Sequence, residues 1–399
     1  MNDTNRKYRI THPWITFTID LRRFSPQLWM ALGEAKSKCE HIANTPLQPE
    51  VANRLHRLFL AKGVHGTTAI EGNTLSQEEI IQKIDGTLQL PPSKDYLGQE
   101  IENIVEACNS IGNLIVESPP RRLQRTDLER YNKIVLDKLD VSEGVVPGEI
   151  RHYSVGVAGA RYRGAPVEDC EYLLDRLCSW LNESWAPDEA SNALVYGIIK
   201  AIVAHVYLAW IHPFGDGNGR TARLLEFQIL LESGAPTPVA HLLSNFYNET
   251  RRVYYAKLDE SSKSTDTIYS FIEYAVLGFV DALRGQLKLV WEQVWNVTWE
   301  SHIHDTFKNK DKPSDVRRRH LALDISRGVA SGTSVSPTEV RNVSPRIAAH
   351  YSRKTPRTLQ RDLMALEELG LIVVNLDGSV RPNREIVFSF LPRKRDNQD

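Results

Sequence analysis

The stretch Ala193–Ile211, ALVYGIIKAIVAHVYLAWI, constrains the fold of this chain more than any other segment. It is apolar on almost every side, and Lys200 and His205 are its only side chains able to carry a charge near neutral pH. A helix of that kind has no polar face to offer water, so it either spans a bilayer or lies at the centre of a packed body. Two chargeable groups inside it, and no second stretch of the same kind, argue against a membrane span. The expectation is a buried central helix in a mainly α protein, delivering His212 at its C-terminal end.

Directly after that helix comes a dense set of polar chemistry, His212-Pro213-Phe214-Gly215-Asp216-Gly217-Asn218-Gly219-Arg220-Thr221-Ala222-Arg223. Each residue type has a job if the ligand is a nucleotide polyphosphate. Glycines let backbone N–H groups approach phosphate oxygens, and a helix starting around Asn218 adds its positive end to the same anion site. Asp216 is a hard oxygen ligand of the kind Mg²⁺ takes alongside substrate phosphates. Arg220 and Arg223, three apart, share a helical face and present planar forks to phosphate. His212 can take a proton at neutral pH.

This run resembles the core motif of the Fic family, H-x-F-x-[D/E]-G-N-G-R-x-x-R, at every defined position. The resemblance implies a Fic-type helical bundle with a short β-hairpin flap, and transfer of AMP from ATP to a Ser, Thr or Tyr hydroxyl of a target protein. It implies His212 as the base, Asp216 as the Mg²⁺ ligand, and Gly217, Asn218 and Gly219 as a phosphate cradle. Arg220 and Arg223 would hold the outer phosphates, and Phe214 would anchor the loop in the core.

Three further segments resemble parts of the same family. Thr67-Thr68-Ala69-Ile70-Glu71-Gly72-Asn73 resembles the inhibitory motif [S/T]-x-x-x-E-[G/N], with Thr67 as the hydroxyl, Glu71 as the acid and Gly72 after it. The resemblance implies that Glu71 pairs with Arg223, and a carboxylate forked onto an arginine occupies the donors that a phosphate oxygen needs. The hairpin signal over Tyr153–Val167, with a turn at Gly159 leading to Tyr162, resembles the flap that pairs with the target's backbone. Ser244 and Tyr247 in LLSNFYNET resemble a segment near the nucleotide base, which makes Tyr247 a candidate adenine contact. His205, seven residues before His212, reads better as a hydrogen-bonded core histidine. Two other activities stay open beside AMP transfer: removal of AMP with Glu71 activating water, and a kinase-like transfer that the presence of Gly217 and Gly219 disfavours.

With 399 residues and a net charge of −1, two or three domains are expected. Region 1–115 reads as N-terminal helices over Gln27–Ala43, Pro49–Lys62, Ser76–Asp85 and Tyr96–Ile115. Region 116–305 reads as the core domain, with further helices over Thr126–Leu139, Val167–Asn182, Thr221–Ser233, Val253–Ser262 and Thr267–Val294. A charged linker, KNKDKP, covers 308–313. Region 314–395 shows helices at Val343–Tyr351 and Thr358–Leu369, a turn at Asp377-Gly378 and strands at Leu371–Val374 and Ile386–Phe388. That order suggests a winged helix-turn-helix, with Leu359, Leu363 and Leu366 facing its core and Lys354, Arg357 and Arg361 outside.

From Asp305 onward the chain has 18 Lys and Arg against 12 Asp and Glu, whereas the remainder has 31 against 38. DNA contact is therefore expected, if anywhere, only in the basic C-terminal part, where the alternative is a protein or dimer contact. A nucleotide-sensing DNA-binding regulator is the competing reading for the whole chain. The oligomeric state stays open, since inhibitory and winged helices both mediate homodimers. Cys39, Cys108, Cys170 and Cys178 form no C-x-x-C pair and read as idle or buried thiols. The N-terminus has no signal-like apolar run, so a cytoplasmic location with access to ATP and no membrane partner is expected.

Overall fold

The computed structural model describes residues 5–117, 121–156, 163–328 and 333–387. They are mainly α-helical and fall into two compact units, Met1–Lys288 and Leu289–Asp399. The first unit runs through α1 (Tyr8–Thr11), α2 (Pro26–Asn44), α3 (Pro49–Ala69), α4 (Gln77–Ile84), α5 (Asp95–Glu117) and α6 (Arg125–Val135). It continues with α7 (Val167–Leu181), α8 (Ala193–Ile211), α9 (Asn218–Glu232), α10 (Thr237–Ala240), α11 (Leu242–Glu249), α12 (Arg251–Ser261) and the start of α13 (Ile268–Thr306).

The helix starts obey local chemistry. Ser25 Oγ accepts from Leu28 N–H at 3.1 Å with Pro26 at the first helical position of α2. Ser76 and Glu79 form a reciprocal capping box at α4. Every residue of α8 except Ala193 and Ala209 is buried, as its composition requires. Lys200 is accommodated there because its ammonium donates to Leu181 O, Glu183 O and Glu189 Oε1 at 3.1, 2.7 and 2.6 Å. Among the described residues, the helical run Glu189–Ile211 alone is long and apolar enough to cross a membrane, and it is the core of this unit. The N-terminal helices share one hydrophobic core with it, through residues such as Leu32, Val64, Ile80 and Ile104.

Two departures bear on the site. α3 does not stop at Lys62 but continues to Ala69 through Gly63 and Gly66. These glycines permit close packing on α11: a Cβ at Gly63 would stand 2.2 Å from His241 Cγ, and one at Gly66 would stand 2.6 Å from Asn245 Oδ1. What reads locally as a helix breaker is a contact surface. α6, in turn, ends at Val135 instead of Leu139. Gly156 and Arg163 pair as an antiparallel bridge at the base of the expected flap; its turn, including Gly159 and Tyr162, lies outside the described residues.

The second unit contains the rest of α13, then α14 (Pro313–Gly328), α15 (Pro345–Tyr351), α16 (Pro356–Glu368), β1 (Ile372–Val374) and β2 (Val380–Pro382). Trp299, Ile303, Leu321, Ile347, Leu366 and Ile372 are among its buried core residues. Asp362 ties three of its side chains together, accepting from Arg317 Nε, Arg318 Nε and Tyr351 Oη at 2.7–2.8 Å. Helix, turn, helix and hairpin occur in the expected order, with Leu359 and Leu363 packed against that core. The second strand, however, is Val380–Pro382, and Ile386 and Val387 lie in a 3₁₀ turn; Phe388 is outside the described residues. The tight turn explains this: Asn375 N–H donates to Ser379 O at 2.8 Å and Gly378 takes φ +79°, so pairing resumes at once with Val374 opposite Val380. Segment 308–313, expected as an inter-domain linker, lies inside the second unit and leads directly into α14, a helix that sequence patterning does not reveal.

Candidate functional site

His212 terminates α8 in the left-handed conformation, φ 48° and ψ 57°, with its N–H on Leu208 O at 2.8 Å. That conformation is costly for a residue with a Cβ, so its neighbours must hold it. Arg151 Nε donates to His212 O at 2.8 Å, and Arg151 N–H donates to Pro213 O at 3.0 Å. On the other side Gly164 allows close approach, since a Cβ there would stand 2.9 Å from His212 Cβ. Burial pushes the imidazole down to about 4, assisted by the Arg151 charge and opposed by the Ala209 carbonyl, Glu71 and Asp216. The ring is therefore neutral at pH 7 and able to accept a proton.

The loop after His212 is closed by Asn218. Its Oδ1 accepts from Phe214 N–H at 2.9 Å and its Nδ2 donates to Phe214 O at 2.8 Å. The Asn218 side-chain amide thus closes the loop backbone on itself. Phe214 is buried and bridges Ile150, the core anchor expected. Gly217 caps α9 at φ +73°, where a Cβ would lie 2.9 Å from Asn132 Nδ2. Asn132 in turn donates to Asp216 O at 2.8 Å. These contacts leave the Asp216 side chain 51% exposed beside the N-terminus of α9.

Glu71 reaches this same place from the end of α3. Arg223, 1% exposed, donates through Nη2 to Glu71 Oε1 at 2.5 Å and to Thr67 O at 3.0 Å. Thr67 therefore contributes its carbonyl to Arg223, and Gly72 turns the chain at φ +105° just after Glu71. Burial pushes the Glu71 carboxyl up, but the charge and hydrogen bond of Arg223, with Arg220 and His212 beyond, hold it below the usual carboxylate range. Arg220, also buried, donates through Nη1 to Glu100 Oε1 at 3.0 Å and lies 3.4 Å from Asp216 Oδ1 through Nη2. Glu71, His212, Asp216, Arg220 and Arg223 are thus brought together across the chain.

Tyr247 is not available as an adenine contact. It is fully buried, stacks on Tyr254 with ring centroids 4.9 Å apart, and donates its hydroxyl to Glu226 Oε1 at 2.9 Å. His205 belongs to the same buried group: Nε2 is 2.8 Å from Tyr254 Oη and Nδ1 is 3.1 Å from Glu226 Oε2. Arg151, Asn132 and Glu100 are the site residues that sequence reasoning misses, because each acts through contacts far away in the chain. The four cysteines are free and buried, and burial pushes the thiols of Cys39, Cys108 and Cys178 up to about 12 and Cys170 to about 11. Among the described residues, no group of three or more His, Cys, Asp or Glu is placed to hold a metal ion by itself.

Residues 122–230 match the Fic/DOC family. The protein adenylyltransferase fic-1 of Caenorhabditis briggsae is 32% identical over 195 residues, covering 49% of this chain and 35% of that protein. The match thus spans about a third of the length of that curated relative. A Fic family protein from Desulfovibrio desulfuricans G20 superposes with a TM-score of 0.54 at 19% identity, covering 90% of this chain and 96% of that one. A Fic-1 fragment from C. elegans superposes with a TM-score of 0.54 at 24% identity, covering 67% of this chain and 73% of that one. These two likenesses show the fold.

Proposed function

We propose that this chain, whose residues 122–230 match the Fic/DOC family, is a protein adenylyltransferase held at rest by Glu71. One observation carries the reading: the neutral base His212 and the arginine-lined N-terminus of α9 share one site, and the Glu71 carboxylate is bound to Arg223 there. An anion partnered by arginine at a helix N-terminus marks where a phosphate would go.

In the reaction, a target hydroxyl gives its proton to His212. Nδ1 is buried, which leaves Nε2 as the accepting atom. The hydroxyl oxygen bonds to the α-phosphorus of ATP, the bond from that phosphorus to the bridging oxygen breaks, and pyrophosphate leaves. Arg220, Arg223 and the N-terminus of α9 balance the phosphate charge, as transfers of this kind require. A single half-exposed carboxylate beside a phosphate site fits Mg²⁺, which is commonly held by one or two carboxylates together with substrate phosphates. Asp216 would hold that ion, which supplies charge neutralisation when bound. The bridged base of the hairpin, at Gly156 and Arg163, supports capture of the target's backbone along a strand edge.

With Glu71 in place, Arg223 cannot give its fork to an outer phosphate, and ATP settles away from the in-line geometry. Glu71→Gly should raise AMP incorporation from labelled ATP, and His212→Ala in that background should abolish it. Unchanged labelling in the first variant would remove the inhibition, and persistent labelling in the second would remove the base. Release of AMP from a modified target by the unaltered protein would favour the reverse activity.

In the second unit, the helix–turn–helix–hairpin order and the exposed Lys354, Arg357 and Arg361 support a winged-helix contact with DNA. Reversing charge at Arg357 and Arg361 should abolish a salt-dependent gel shift; retention of the shift would place the contact elsewhere.

A further inference from the structure

Glu71 is not the only carboxylate of the N-terminal helices on an arginine of the motif. Glu100, near the start of α5, accepts from Arg220 Nη1 at 3.0 Å through Oε1. Its other oxygen, Oε2, accepts from Asn73 Nδ2 at 2.8 Å. The pair is well shielded, with side chains 16% and 7% exposed for Glu100 and Arg220. Asn73 lies two residues beyond Glu71 and is itself buried, with Nδ2 also donating to Leu97 O at 3.0 Å and its backbone N–H to Thr68 O at 3.2 Å.

The segment Glu71–Asn73 therefore engages both arginines, Arg223 directly and Arg220 through Glu100. We propose that Glu100 is a second latch, a positioning residue that ties the resting place of Glu71 to Arg220. This rests on the reading of Glu71 as the inhibitory carboxylate and deepens it. A phosphate drawn to Arg220 competes with Glu100 for Nη1. When it wins, Glu100 loses its anchor and Asn73 loses a charge-assisted hydrogen bond, which loosens the backbone that carries Glu71. Release of one arginine thereby favours release of the other, with Asn73 and Glu100 as the link between them.

The test uses the full chain carrying Glu100→Gln, alone and with Glu71→Gly. Two readouts are followed: AMP incorporation from labelled ATP, and hydrogen exchange of the Glu71 and Asn73 amides, both held by Thr68 O. Glu100→Gln should speed exchange at these amides and raise incorporation on the order of ten-fold, the share that one charge-assisted hydrogen bond supplies. With Glu71→Gly already present it should add less than about two-fold, since it acts through Glu71. Asn73→Ala, which leaves Arg220 and its charge partners in place, should move both readouts the same way, and it decides the matter if Glu100→Gln fails to fold. Unchanged exchange in these variants overturns the latch, as does unchanged or reduced incorporation where Glu71→Gly is active. If Glu71→Gly itself incorporates no AMP, the adenylyltransferase reading fails, and exchange alone decides the role of Glu100.

Discussion

A Cβ at Gly219 would stand 2.3 Å from Glu71 Oε1 and 3.1 Å from Arg223 Nη1. The absence of a side chain there makes room for a carboxylate at the first turn of α9, the room that a phosphate would take in the proposed reaction. Gly219 is thus needed by the resting contact and by the proposed substrate alike.

Gly219→Ala should therefore not behave as an activating change. It expels Glu71 but blocks the same space to phosphate, so AMP incorporation should stay at or below the level of the unaltered chain. In the Glu71→Gly background it should lower kcat/KM for ATP by at least about ten-fold, since steric misplacement at the reacting centre is costly. Labelling with ATP over a concentration series reads this directly.

The buried His212 sets the pH dependence. Its value of about 4 lies below the ordinary 6.5, so the folded chain favours the neutral ring. The proton is then lost from the base well below pH 7, and kcat/KM of the Glu71→Gly variant should stay level from about pH 7.5 to about 5.5 and fall below that. Removing Glu71 takes away a group that favours the charged ring, so the shift persists in that variant. For stability the unfolded chain takes up the His212 proton first. This residue's contribution is constant above about pH 6.5 and turns against folding as the pH drops from there towards about 4. An acidic limb centred near the ordinary histidine value would contradict the burial.

Asn218→Ala removes both hydrogen bonds to the Phe214 backbone and leaves buried groups unpaired. A loss of about 2 kcal/mol is expected, read as a lower midpoint in denaturant. Incorporation should fall with it in the Glu71→Gly background, because the loop that joins His212 to α9 loses its closure.

Tyr247→Phe separates packing from nucleotide contact. Loss of the hydroxyl leaves Glu226 Oε1 without its buried donor, which should cost about 1–3 kcal/mol in denaturant unfolding. The KM for ATP in the Glu71→Gly background should stay within about two-fold, and a large rise would restore Tyr247 to the adenine site.

Much of the site is legible along the chain because its chemistry is local. His212 to Arg223 occupy the end of one helix, a turn and the start of the next, so residue type and spacing alone mark a candidate base, a candidate anion site and two arginines. The apolar stretch of α8 likewise dictates its own burial, and the helical spacing of Leu359, Leu363 and Leu366 on α16 places its inner face. Other features have no local signature. Gly63 and Gly66 look like breaks until α11 is found against them, and Tyr247 looks like a ligand contact until Glu226 is found beneath it.

Sequence by itself thus determined the parts: a central buried helix, a glycine- and arginine-rich turn, and a Thr67–Asn73 segment with an acid to offer. Only the tertiary structure decided their state. Glu71 and Arg223 are 152 residues apart, and no periodicity specifies a distance across that gap. Packing of α3 on α11 sets it, with Asn73 and Glu100 holding the end of the segment in place. Short-range geometry comes from backbone preferences that each residue carries with it. Which charge faces which is a property of the whole core, because the helices must first agree on how to pack.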